Sequence, residues 1–172
     1  MSFNILKNSL KKGKVTRELG PTGLVLPPEI EKMGEELKKT IHAKFGRSFH
    51  IREVDTGSCG ACESEIIACS NPLYDIQRFG IDFVASPRHA DALLVTGPVS
   101  KNMELALKKT YEAMPELKFV ITLGECAKDG GYFKDSYYTC SGVESVLPVT
   151  LHIPGCPPSP QTIIRSLLSF LK

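Results

Sequence analysis

Apolar positions along the chain change their period at Gly46. Before it, Ile30, Met33, Leu37 and Ile41 recur every three or four residues, which predicts a helix over 28–45, opened by Pro27-Pro28 and ended near Gly46. After it, short apolar runs alternate with helical stretches. Phe49–Val54, Ile81–Val84, Ala92–Thr96, Lys118–Leu123 and Val146–Ile153 read as strands, the last interrupted by Pro148. Ala92–Thr96 and Lys118–Leu123 are continuously apolar, as central strands of a parallel sheet are. Glu63 to about Cys69, Lys101 to about Met114 and Gln161–Leu171 read as helices, and the last carries Ile163, Ile164, Leu167, Leu168 and Leu171. Strands alternating with helices predict an α/β fold, a parallel sheet with helices on both faces.

Residues 1–27 read as an N-terminal extension, and 28–172 as a single domain. In the extension Phe3, Ile5, Leu6 and Leu10 are interleaved with Lys7, Lys11, Lys12 and Lys14. A short basic amphipathic helix of this kind can rest on a membrane surface or a partner; the plainer alternative is a partly ordered tail. Gly20-Pro21-Thr22-Gly23 is turn chemistry.

Composition narrows the function classes. The chain has 172 residues, 42% of them hydrophobic and 23% charged, values ordinary for a globular domain that buries one core. A net charge of +2 leaves no electrostatic footprint for nucleic acid. Its apolar runs are too short to span a bilayer, and the N-terminus shows neither a secretory signal nor a twin-arginine pair. These features place the chain in the cytoplasm or, peripherally, on the cytoplasmic face of a membrane complex. Six cysteines are many for such a compartment, where thiols more often bind metal or do redox work than form disulfides.

Four of the six share a position in the pattern. Cys59 and Cys62 follow the first predicted strand, Cys126 follows Phe119–Leu123 by a Gly-Glu turn, and Cys156 follows Thr150–Ile153 in Pro-Gly-Cys-Pro-Pro. The carboxyl ends of parallel strands lie on one edge of the sheet, where such folds place their ligands. Thiols far apart in sequence therefore converge. Four thiolates suit Zn(II) or an iron–sulfur cluster. Structural zinc usually takes two C-x2-C knuckles. Here there is one, with two isolated cysteines in separate loops, a wider cradle that suits a [4Fe-4S] cube better. Gly57, Gly60, Gly124, Gly130, Gly131 and Gly155 on these loops let backbone N–H groups approach the sulfurs. The bland alternative makes Cys126 or Cys156 a small buried hydrophobe. Cys69 reads as core, and Cys140 is not assigned as a ligand. A thioredoxin-like reading of Cys59-Gly60-Ala61-Cys62 leaves the later cysteine loops without a role.

With these residues in view the chain resembles the small subunit of [NiFe] hydrogenases and the homologous cluster-bearing subunit of complex I. The likeness covers roughly 48–172. It rests on Gly57-Ser58-Cys59-x-x-Cys62-Glu63, Ser86-Pro87-Arg88-His89-Ala90-Asp91, Thr96-Gly97-Pro98-Val99, Gly124-Glu125-Cys126-Ala127, Gly130-Gly131-Tyr132 and Pro154-Gly155-Cys156-Pro157-Pro158. The resemblance implies a flavodoxin-like fold and one proximal [4Fe-4S] cluster held by Cys59, Cys62, Cys126 and Cys156. It implies a large catalytic subunit, a ferredoxin-like cluster subunit and membrane-arm subunits as partners. The C-x-x-C pair resembles hydrogenases rather than complex I. The absence of a further cysteine-rich domain points to membrane-bound, energy-converting relatives, of the formate-hydrogenlyase or archaeal sulfane-reductase type. Many such hydrogenases read Ser-Cys-Asn-Gly-Cys; Ser58-Cys59-Gly60-Ala61-Cys62 departs from that, so the partner's chemistry is left open between a Ni–Fe site and a sulfane- or quinone-reducing site.

The expected function is electron relay between the ferredoxin-like subunit and the large subunit. A zinc-stabilised interaction module is the alternative from a different class. Glu63 is a candidate proton-relay carboxylate at the large-subunit interface, or with Glu65 serves the helix N-terminus. Glu125 is a loop residue that could face the same interface. Arg88 and His89 are candidates for positive charge beside the cluster, or plain surface residues.

Overall fold

The predicted apolar runs hydrogen-bond into one sheet in the computed structural model, which describes residues 28–172. The strands are β1 (Phe49–Asp55), β2 (Ile81–Phe83), β3 (Ala92–Thr96), β4 (Phe119–Leu123) and β5 (Leu151–Ile153). All pair in parallel, in the order β2-β1-β3-β4-β5. This is the flavodoxin-like order, whose switch point lies between β1 and β3. The N-terminal extension, with its amphipathic pattern, lies outside the described residues.

Helix α1 (Pro28–Phe45) has the predicted bounds. Proline is pre-organised for the first turn, Glu29 and Glu31 sit at the positive end of the dipole, and His42 and Lys44 at the negative end. Gly46, at φ +65, accommodates the left-handed turn after the last residue and returns its N–H to the His42 carbonyl at 3.0 Å. Ile30, Leu37 and Ile41 are buried. They pack with α2 (Ala61–Cys69), α5 (Pro160–Leu171) and Ile51, Leu94, Ile121 and Ile153 of the sheet. The opposite face carries a second core, in which Leu107 of α3 (Lys101–Glu112) meets Leu93, Val95 and Val120. Ala127 of the short helix α4 (Glu125–Asp129) joins it. Successive side chains of β3 alternate between the two cores and all five are buried, as a central strand requires.

One strand differs from expectation. The last strand spans Leu151–Ile153, not Val146–Ile153. Pro148 has no N–H for a ladder; the segment before it turns through Val143–Ser145, and Val146 and Val149, on either side of the proline, pack into the second core. The link from β2 to β3 holds no α-helix, only a single turn over Pro87–His89.

Candidate metal centre at the carboxyl edge

The carboxyl edge is assembled by contacts between the loops that follow β1, β3, β4 and β5. At the end of β1, Asp55 Oδ1 accepts the N–H groups of Gly57 (2.8 Å) and Ser58 (2.7 Å). Thr56 is fully buried, and its hydroxyl donates to the Thr96 carbonyl at 2.6 Å, tying the β1 loop to the β3 loop across the switch point. The two loops touch there: a Cβ on Gly97 would lie 2.6 Å from the Ser58 nitrogen. Gly60, at φ +83, turns the chain into α2, and Cys62 falls in the first turn of that helix.

Cys126 lies on α4, not in an open Gly-Glu turn. Between it and β4 stands Gly124, where a Cβ would come 2.9 Å from the Cys62 sulfur and 3.2 Å from the Gly155 carbonyl. The loop bearing Cys156 is clamped to α4 from both directions. Glu125 N–H donates to the Gly155 carbonyl at 3.1 Å, and Gly155 N–H donates to Glu125 Oε1 at 3.2 Å. A Cβ at Gly131 would lie 3.1 Å from the Cys126 sulfur. Glycine is thus required where backbone crowds a thiol.

The Cys62 thiol is pushed up to about 12, first by burial, then by Glu63 and by the charges of Cys59, Cys126 and Cys156. Cys126 is also raised, first by burial, then by Cys156, while a hydrogen bond from the Tyr132 backbone works the other way. Cys59 and Cys156 are exposed, Cys62 and Cys126 partly buried. This donor set is one that a cationic iron or zinc centre would neutralise. Among the described residues no three His, Cys, Asp or Glu side chains are gathered closely enough to hold one metal ion. Cys69 is fully buried in the first core, as expected. Cys140 stands aside, its thiol donating to Glu104 Oε2 at 3.5 Å.

A carboxylate pair lies beside Cys62. Glu63 Oε2 accepts the Ser58 hydroxyl at 2.7 Å, while its Oε1 is buried without a partner among the described residues. Glu53 is held above the usual carboxylate range, first by burial and then by Glu63 and Asp55, although Thr96 donates to it at 3.4 Å. Both line a cavity of about 480 Å3 with Ile66, Ile67, Phe83 and Val84. Sequence reasoning missed Glu53, which looks like any polar residue of an alternating strand, and Thr56, whose place between a strand end and Gly57 was the available signal. It also missed His152, where burial lowers the ring pKa and Nε2 has no hydrogen-bond partner among the described residues, with Glu125 Oε1 3.9 Å away.

Arg88 and His89 are corrected. In a parallel sheet, residues just before a strand lie at its amino end. The turn over Pro87–His89 delivers both residues ahead of β3, where the His89 carbonyl lies 3.1 Å from His50 Nδ1 near the start of β1. They stand at the edge opposite the thiols.

The family described as the 20 kDa subunit of NADH ubiquinone oxidoreductase matches residues 59–170. The chain is 42% identical to the probable membrane-bound hydrogenase subunit mbhJ of Pyrococcus furiosus, over 83% of each chain. It is 40% identical to formate hydrogenlyase subunit 7 of Escherichia coli over 83% of its own length, and spans 57% of that relative. Among solved structures it is similar to a chain of the membrane-bound sulfane sulfur reductase, an archaeal respiratory membrane complex. The TM-score is 0.65 and the identity 28%, covering 80% of this chain and 73% of that one.

Proposed function

The chain belongs to the family of the 20 kDa subunit of NADH ubiquinone oxidoreductase and its membrane-bound hydrogenase relatives, and from that premise we propose that it is the electron-relay subunit of such a complex, with Cys59, Cys62, Cys126 and Cys156 holding one [4Fe-4S] cluster. The observation that carries the proposal is the meeting of three strand-end loops at Gly124, with the charges of Cys59, Cys126 and Cys156 all reaching the half-buried Cys62 thiol. When bound, such a cluster supplies a one-electron couple whose potential its surroundings set. The chain's own residues hold and tune it. The four cysteines act as thiolates, Tyr132 N–H donates toward the Cys126 sulfur, and the Glu125–Gly155 clamp fixes the loop of Cys156. The exposed sides of Cys59 and Cys156 face the partners: a large catalytic subunit and a ferredoxin-like cluster subunit, joined to membrane-arm subunits.

Glu63 is the proposed proton carrier at the large-subunit interface, because its Oε1 is buried and short of a donor that a partner or water would supply. No helix among the described residues is long and apolar enough to cross a membrane, and the chain is proposed to sit peripherally on the cytoplasmic face. The likeness to the sulfane reductase chain supports a second reading, the same relay role in a complex without a Ni–Fe site.

Electron paramagnetic resonance with iron and zinc quantitation on anaerobically purified, dithionite-reduced protein tests the proposal. The expected result is about four irons per chain and a reduced-cluster signal, both lost in Cys126→Ala. Stoichiometric zinc without iron, in protein matured under cluster-assembling conditions, would overturn the relay and leave a zinc-stabilised module.

A further inference from the structure

The amino edge of the sheet, opposite the thiols, carries a second constellation. Two cavities open there and meet at Arg47. One, of about 500 Å3, lies under the second half of α1 and is lined by Lys38, Lys39, His42 and Glu35. The other, of about 310 Å3, is lined by His50, Arg88, His89 and Asp91. Four permanent cations (Lys38, Lys39, Arg47 and Arg88) therefore face two carboxylates.

One of those carboxylates is already used. Asp91 receives both terminal nitrogens of Arg47, at 2.7 and 2.8 Å, and the His50 N–H at 2.9 Å. Lys38, Lys39 and Arg88 are exposed and make no ion pair among the described residues. Three of the chain's four histidines line the same groove. They are not gathered to hold a metal ion, and the neighbouring guanidinium and ammonium groups would repel one. A concave groove rich in ammonium and guanidinium donors matches a compact oxyanion, above all a phosphate.

We propose that this amino-edge groove binds the phosphate of an anionic phospholipid headgroup and seats the chain on the membrane with its thiol edge turned away. The choice of a lipid over a free phosphate rests on the reading of this chain as a subunit of a membrane-bound complex. A basic residue near an anionic surface is worth about 1 kcal/mol, roughly fivefold in partition. The groove concentrates several at one edge, while the opposite edge is left to protein partners.

Cosedimentation of the full, cluster-loaded chain with phosphatidylcholine vesicles, with and without phosphatidylglycerol at fixed ionic strength, tests this. The wild type is expected to bind only the anionic vesicles. Lys38→Gln with Arg88→Gln should weaken that binding more than about tenfold, and the equal-charge control Lys101→Gln with Lys109→Gln on α3 less than about twofold. Equal losses in the two double variants, or equal binding to both vesicles, would overturn the proposal. If inorganic phosphate shields Arg88 from phenylglyoxal and anionic vesicles do not, the groove takes free phosphate and the lipid assignment fails. Paramagnetic resonance on the same samples separates the two readings. An intact cluster signal without vesicle binding counts against the groove alone; vesicle binding by a chain that never acquires iron counts against the relay alone.

Discussion

Gly60 and Gly124 share a positive φ, +83 and +86, but differ in ψ, -6 against 163, and stand in different surroundings. A methyl group at Gly60 meets nothing within 4 Å, whereas at Gly124 it meets the Cys62 sulfur at 2.9 Å and the Gly155 carbonyl at 3.2 Å. Gly60→Ala therefore carries only the left-handed penalty of about 1 kcal/mol and should lower the melting temperature while keeping full iron. Gly124→Ala adds a collision where three loops meet and should abolish cluster loading. Equal iron in the two variants would show that the crowding at Gly124 has no bearing on the site. Both glycines neighbour cysteines in the sequence; only the fold separates them, because the contact of Gly124 with Cys62 joins distant segments. Cys69 gives a second test. Burial pushes its thiol up to about 12, whereas an unfolded thiol ionises near 8.5. Its contribution to stability is complete below the unfolded value and is lost as pH rises toward 12, because only the unfolded chain releases the proton. Urea titrations between pH 8 and 10 should show stability falling by up to about 1 kcal/mol more per pH unit in the wild type than in Cys69→Ala. Parallel slopes would contradict the burial of that thiol.

The bounds of α1 were legible because local chemistry sets them: a proline opens the helix, a glycine closes it, and one apolar stripe runs between. The site helices are a different case. α4 has only five residues, too few for a period to show, and its place depends on hydrogen bonds to the β5 loop. β5 was overread because Val146 and Val149 are apolar for the sake of the second core, not of a ladder. The clamp between α4 and the β5 loop carries its own prediction. Glu125→Gln keeps an acceptor for Gly155 N–H, whereas Glu125→Ala removes it and frees the loop of Cys156. A hydrogen bond to a half-exposed carboxylate contributes about 1 kcal/mol, so the melting temperature should change little. Iron loss to a chelator should quicken about fivefold in the alanine variant and stay near wild type in the glutamine variant. Identical loss rates in all three proteins would show that the clamp does not govern the site.

At the scale of the whole molecule, the placement of Cys59, Cys62, Cys126 and Cys156 past the carboxyl ends of β1, β4 and β5 was legible because it follows from topology alone: parallel strands send all their exits to one edge. The same rule places Arg88 and His89 at the other edge. That was missed because a loop was assigned to the strand it leaves, not to the strand it feeds, and only the short link from β2 to β3 settles it. The arrangement also separates the site from the stability of the fold. Both cores lie between the sheet and its helices, and of the four thiols only Cys62 packs against either. In a small zinc domain, by contrast, metal binding supplies the folding free energy. Here the chain without metal should keep its far-ultraviolet dichroism and its cooperative unfolding. Amide exchange should then speed up locally, at residues 57–62, 124–131 and 154–158, while β3 and β4 remain among the slowest segments, since local opening follows local packing. Hydrogen exchange read by mass spectrometry on matched loaded and metal-free samples checks this. Exchange that rises together across β3, β4 and the three loops would mean that the edge holds up the core, and the separation of site from scaffold would have to be abandoned.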